Sequence, residues 1–367
     1  MAPLALAFGL VGAAQAAGSP GAGQPTGVLS PAAPAVGNLA RAPIATSLRY
    51  DTDYPLIGYA DRPTHNAIAR LQDRLDKGAT KLKFVPGRGY LDSLLQTLGI
   101  DPSSQTLVYS KTSLQIDLIR AATPRAIYFD DDTYVAWMPG TNFLEVSTMD
   151  SALGPVFYTL PDRDPASTHF DRETLRCLTC HDTFSLMGGG VPRFLFMSSP
   201  VTVTGEPLTT EISVETTDAT PLQDRWGGWY VTGKPNGLMH LGNIRMTGPV
   251  KSVTDFASLL VNRPGTLENL AGLFDTQPYR TDRSDVVALL VLEPLVKALL
   301  QVDAAPLPGK IAGNSGFDGW FQAQGPRDAQ GRSLRELDLG TRLLRYPLSY
   351  MIYSAGFDGL PGYAKEG

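Results

Sequence analysis

The alternation of apolar and polar positions changes period twice along the chain. In "THNAIARLQDRLDKG", Thr64 to Gly78, Ile68, Leu71 and Leu75 recur at helical spacing, with Thr64 as candidate cap and Gly78 as stop. "YLDSLLQTLGI" predicts a second short amphipathic helix ending at Gly99. The period then shortens. "QTLVYSKTSLQI", "RAIYFDDDTYVAWM", "NFLEVSTM" and "PVFYTL" are aromatic and β-branched runs broken by Pro, Gly and Asp, which predicts strands. "FDDDTY" reads as a hairpin turn, and its aspartates match no calcium-loop spacing. An extended stretch, "RFLFMSSPVTVTGEPL", and the aromatic "RWGGWYVTG" follow. The last third returns to helical patterning in "SVTDFASLLV", "RSDVVALLVLEPLVKALLQV" and "GRSLRELDLGTRLLRY", with Pro294 placed to kink or split the middle one. No internal repeat is visible. The expected class is α+β: a mainly antiparallel sheet with peripheral helices.

Before that body, "MAPLALAFGLVGAAQAAGSP" holds an apolar run followed by Ala14-Gln15-Ala16, the small-x-small pattern of a cleaved export signal. No Lys or Arg precedes the run, a gap that a start codon upstream would explain. The run is too short for a membrane span. The division expected is a signal over 1–16, a Gly/Pro/Ala-rich linker over 17–41, and one large domain over 42–363. Net charge is −5 among 367 residues with no dense basic run, which argues against a nucleic-acid partner. Export matters for one further reason: an oxidising compartment does not leave adjacent thiols free.

The chain has two cysteines, and both lie in "ETLRCLTCHDTF". Cys177, Cys180 and His181 form Cys-x-x-Cys-His, the attachment pattern of covalent haem c. On a helical turn, positions i, i+3 and i+4 share one side, so two thiols can take the porphyrin vinyl groups while the imidazole binds iron. Asp171 is a candidate cap for that turn. A zinc site needs four ligands, and the remaining histidines, His65, His169 and His240, are isolated. A thioredoxin-like redox pair and a plain disulfide are the other readings of two close cysteines.

"CLTCH" resembles the haem site of c-type cytochromes. The stretches "SQTLVYSKTSLQ", "PRAIYFDDDTYVAW", "DRWGGWYVTG", "HLGNI" and "GRSLRELDLGTRLLRYPLSYMIYSAGFDGLP" resemble a family of large bacterial proteins described only as cytochrome c domain-containing. The resemblance implies Cys177 and Cys180 as thioether sites and His181 as proximal ligand. It lends no activity. Small cytochromes c are all-helical and far shorter, so their fold is not expected here; the attachment segment, about 165–250, is embedded in the larger domain.

A distal iron ligand is sought in "NGLMHLGNIRM", where Met239, His240 and Met246 follow His181 by 58, 59 and 65 residues. His240 is favoured, with an ordinary hydrogen-bonded core histidine as the alternative. Met187 follows the motif too closely unless Gly188–Gly190 fold back, and Met197 sits in an apolar run. "DRWGGWYVTG" offers Trp226 as a pocket wall, with a packed β-hairpin as the alternative, and Arg225, with Arg176 and Arg193, offers charge for the haem carboxylates, with plain surface charges as the alternative. The expected function is an exported monohaem electron carrier working with a redox partner protein. The alternatives are a haem redox enzyme with an open iron, peroxidase-like or acting on small oxides, and a structural protein with ancillary haem.

Overall fold

The computed structural model describes residues 58–162, 168–181, 192–208, 213–234, 236–243, 245–246, 295–360, 362 and 365, all inside one unit spanning Thr46–Gly367. The expected signal and linker, "SVTDFASLLV", the first part of "RSDVVALLVLEPLVKALLQV", Met187 and Gly188–Gly190 lie outside the described residues.

Helix α1 (Ala67–Asp76) opens on Asn66 rather than Thr64: the Asn66 side chain accepts the Ala69 N–H at 2.9 Å. Thr64 is instead used at long range, accepting from the Tyr158 hydroxyl at 3.1 Å. α1 buries Ile68 and Leu71; α2 (Leu91–Leu98) buries Leu91, Leu94 and Leu95 and ends on Gly99 in the left-handed region.

The predicted strands form a seven-stranded antiparallel sheet. Its sequential part is β1 (Thr106–Val108), β2 (Arg125–Phe129), β3 (Thr133–Trp137), β4 (Phe143–Asp150), β5 (Gly154–Pro161) and β6 (Asp171–Arg172). Further on come β7 (Met197–Ser198), β8 (Val201–Thr202), β9 (Val214–Glu215), β10 (Trp229–Tyr230) and β11 (Arg245–Met246). β10 returns to pair with β1, so the order is β10-β1-β2-β3-β4-β5-β6. The class is therefore α+β and mainly antiparallel, as expected. "FDDDTY" is the β2–β3 turn: Asp130 accepts the N–H groups of Asp132 and Thr133 at 2.9 and 2.7 Å.

Register decides what each face meets. Tyr128, Val135, Val146 and Tyr158 pair across four strands and point to one side, where α1 and α2 cover them in the first core cluster. Phe129 and Tyr134 face the other way, against Trp226, Trp229 and the helix α5 (Phe317–Ala323) in a second cluster. β5 is buried along seven of its eight residues, the mark of a strand covered on both faces.

The carboxy-terminal part departs from its predicted helices. Residues 295–299 are helical (α4) and Ala355–Asp358 forms α6, but "GRSLRELDLGTRLLRY" is irregular. Leu337 and Leu344 form a β-bridge, and Asp338 accepts the Gly340 N–H at 3.0 Å. The cause is tertiary. The Arg335 guanidinium lies over the rings of Phe321 and Tyr350, at 4.9 and 4.1 Å, and pairs with Asp131 of the β2–β3 turn. That buried anchor overrides a weak local preference for helix.

Gly89 supplies a close approach that no other residue permits. It is in the left-handed region, and a Cβ there would fall on the buried Asp162 carboxylate, which accepts the Tyr90 N–H at 2.7 Å. Gly89→Ala is expected to destabilise the fold by about 2–4 kcal/mol, combining backbone strain with a displaced buried acceptor. Denaturant midpoints of the two proteins check this; an unchanged midpoint would remove the constraint.

Candidate functional site

The segment carrying the cysteines leaves the sheet at β6. Asp171, expected as a helix cap, pairs with Thr159 in β6, because the chain is still extended there. Glu173 makes the turn away: its N–H donates to the Phe157 carbonyl at 2.8 Å, and its carboxylate accepts from Thr159 Oγ1 at 3.1 Å and Arg176 Nε at 2.9 Å. A single helical turn follows, α3 (Leu178–His181), in which the Cys177 carbonyl accepts the N–H groups of Cys180 and His181 at 3.2 and 3.0 Å. Leu178 is buried in the first core cluster and pins the turn. Cys177 is half-buried against that cluster, and Cys180 is exposed. Burial first, then Glu173 and Glu145, pushes the Cys177 thiol up to about 12.

His181 is clasped on two sides. Its carbonyl accepts the Arg193 N–H at 2.8 Å, its Nδ1 lies 3.1 Å from the Arg193 carbonyl, and its ring packs 4.8 Å from that of Phe157. A carbonyl only accepts, so Nδ1 carries the hydrogen and Nε2 keeps its lone pair. Burial lowers the imidazole to about 4, and the nearby Arg125 and Arg193 charges act in the same direction, outweighing the hydrogen bond that favours the charged form. At neutral pH the side chain is a neutral base with its donor atom fixed. The Nε atoms of Arg125 and Arg193 are buried without a hydrogen-bond acceptor among the described residues, although Arg125 also reaches Glu145 at 3.3 Å and Arg193 reaches Glu215 at 2.7 Å. Arg176, paired with Glu173, is largely exposed.

The other residues expected at the site are grouped elsewhere. Arg225 is 1% exposed, with Nε donating to the Thr220 carbonyl at 2.7 Å and Nη2 to that of Asp218 at 2.8 Å; Nη1 has no acceptor among the described residues. Burial lowers its guanidinium to about 10. Trp226, buried with a left-handed backbone, stands edge-on to His240 at 5.5 Å. His240 is buried, and its Nδ1 accepts the Gly242 N–H at 3.0 Å. In the neutral ring Nε2 then carries the hydrogen, the tautomer opposite to that of His181. The Trp229 indole N–H is occupied by the Met197 carbonyl at 2.8 Å. Met239 is 53% exposed, Met197 half-buried in β7, and Met246 lies in β11. His65 and His169 are exposed.

The turn thus carries Cys177, Cys180 and His181 on one short segment that Leu178 and Cys177 pack onto the first core cluster, whereas Trp226 belongs to the second. Among the described residues no three His, Cys, Asp or Glu side chains converge as direct metal ligands. Phe157, Arg125 and Glu145 escaped sequence reading: they lie on strands distant along the chain, and only sheet register brings them to the motif. No helix among the described residues is long and apolar enough to cross a membrane. Comparisons with protein-family models, curated proteins and solved structures find no match to this chain.

A histidine held neutral by the fold costs stability in acid. The unfolded chain takes up this proton near 6.5 and the folded chain only near 4. In haem-free protein, the stability of wild type relative to His181→Phe is expected to fall as pH drops through that window and to level off above it. Urea titrations at successive pH values measure the difference; a difference that rises toward low pH contradicts the assignment.

Proposed function

We propose that this chain is an exported c-type cytochrome that holds one covalent haem c through Cys177 and Cys180, with His181 as proximal iron ligand, and passes electrons to a protein partner. The observation that carries the reading is the His181 clasp. Proximal histidines in metal sites donate their second ring N–H to a carbonyl or carboxylate, which fixes the tautomer and ring plane, and His181 makes that bond to Arg193. Thiols and imidazole share one helical turn at the spacing that attachment around a porphyrin edge uses. Exposure of Cys180 and half-exposure of Cys177 leave both sulfurs at the border of the fold. The orphaned Nε atoms of Arg125 and Arg193, whose charges act on His181, suit a ligand bearing carboxylates. When bound, haem supplies a one-electron couple whose potential depends on axial ligation, neighbouring charge and burial.

A second reading, a redox enzyme with an open iron, gains from the tautomer of His240. With Gly242 donating to Nδ1, the hydrogen of the neutral His240 ring sits on Nε2, which weighs against that atom as an iron ligand, and Met239 is largely exposed. If haem is held, its iron would then be completed by another methionine or left open to a small exogenous molecule.

Expression in an export host with haem-maturation machinery tests both readings. The expected product has the mass of the polypeptide plus one haem, retains its colour after acidic organic extraction, and loses it when Cys177 and Cys180 are both replaced by serine. Colourless protein of bare polypeptide mass overturns the cytochrome reading. A low-spin spectrum unmoved by cyanide or carbon monoxide supports the carrier; rapid binding of either supports the enzyme.

A further inference from the structure

One continuous column of aromatic rings starts at His181 and crosses the sheet. Centroids step from His181 to Phe157 (4.8 Å), Phe194 (6.5 Å), Tyr134 (4.9 Å), Phe129 (6.0 Å), Phe317 (5.8 Å) and Trp320 (5.6 Å). Register explains its course. Tyr134 and Phe157 both pair with Ser147 and so share a face, Phe194 closes the gap between them, and Phe129 is the direct cross-strand partner of Tyr134. The column passes from one core cluster into the other and ends on Trp320, which is half-buried and reaches the surface.

We propose that this column carries oxidising equivalents between the attachment turn and Trp320, with Tyr134 and Trp320 as its two oxidisable stations and the phenylalanines as packed contact between them. The proposal rests on haem being attached beside His181. Phenylalanine rings are too hard to oxidise to hold the charge themselves, whereas tyrosine and tryptophan each give up one electron. A competing branch leaves Phe317 for Phe321 and Tyr350, at 5.8 and 5.1 Å. There the Arg335 guanidinium lies 4.9 Å over Phe321 and 4.1 Å over Tyr350; Asp131 offsets part of its charge, but the cation is the member of that pair stacked on the rings, and it opposes the loss of an electron from either. Charge is thereby directed toward Phe129 and Tyr134. The balance is simple. Trp320 gives one electron to a one-electron oxidant at the surface, and Tyr134 refills it, releasing its phenolic proton to water. Tyr134 would then recover an electron from the haem held beside His181 and a proton from water, so that the net change would be one electron passed from that group to the oxidant.

Gly319 is exposed beside Trp320, and a Cβ there has no atom within 4 Å outside its chain neighbours and its own helix backbone, so Gly319→Cys can carry a ruthenium diimine photo-oxidant. In haem-loaded protein, flash-generated ruthenium(III) is expected to oxidise the iron, and Tyr134→Phe to slow that step by about tenfold or more. Phe129→Leu, which opens the contact between Tyr134 and Phe317, is expected to slow it similarly with the phenol intact. In the haem-free Cys177→Ser, Cys180→Ser chain, the transient tryptophan radical should convert to a tyrosyl radical, a conversion abolished by Tyr134→Phe and kept in Tyr350→Phe. Unchanged kinetics in Tyr134→Phe and Phe129→Leu, or a tyrosyl signal that depends on Tyr350, overturns the column. Because the haem-free arm needs no porphyrin, it decides the column even if the loaded protein proves colourless, which would defeat the cytochrome reading alone.

Discussion

The structure hangs on β5 being covered on both faces. A strand with seven of eight residues buried cannot sit at a solvated face, so each side needs its own cover. On the side of Val156, Tyr158 and Leu160 that cover is α1 and α2, fastened by polar contacts such as the Asn66 amide to the Tyr158 hydroxyl at 3.0 Å. On the other, Thr159 holds Glu173 and Phe157 holds the His181 ring. The cysteine turn is thus not an appendage. It is positioned by the same strand that organises the first core, and Leu178 ties it there.

That placement has chemical consequences. A neutral imidazole with a fixed lone pair arises because His181 is pressed on Phe157, flanked by Arg125 and Arg193 and bonded to the Arg193 carbonyl, three residues from separate parts of the chain. His240 shows what the same residue type becomes in another environment. A backbone N–H instead of a carbonyl faces its Nδ1, which reverses the tautomer and leaves the hydrogen on Nε2. Electrostatic environment, not residue type, separates the two.

Much of the architecture was legible from periodicity. Both amino-terminal helices, the β2–β3 hairpin and the long β4 and β5 runs lie where hydrophobic spacing predicts, since their local pattern and tertiary burial agree. The region from Gly331 to Tyr346 departs from the helix its leucine spacing predicts because the Arg335 guanidinium lies over two rings and pairs with Asp131 of the β2–β3 turn. α5 was missed because "FDGWFQA" carries a glycine within a short aromatic run, and its helix is set by packing against Phe129.

The motif itself, and with it the candidate chemistry of Cys177, Cys180 and His181, is a matter of local spacing that any reading of the chain recovers. Local spacing also determined the α+β class, because periods of two and of 3.6 are properties of neighbouring residues. What only the tertiary structure decided is which partners those residues meet: Arg193, Phe157 and Arg125 around His181, Arg335 over Tyr350, and the column of rings that ends at Trp320. Such contacts depend on strand register and on the sheet's two-sided burial, and register is settled by distant chain segments meeting, which no short window of sequence encodes.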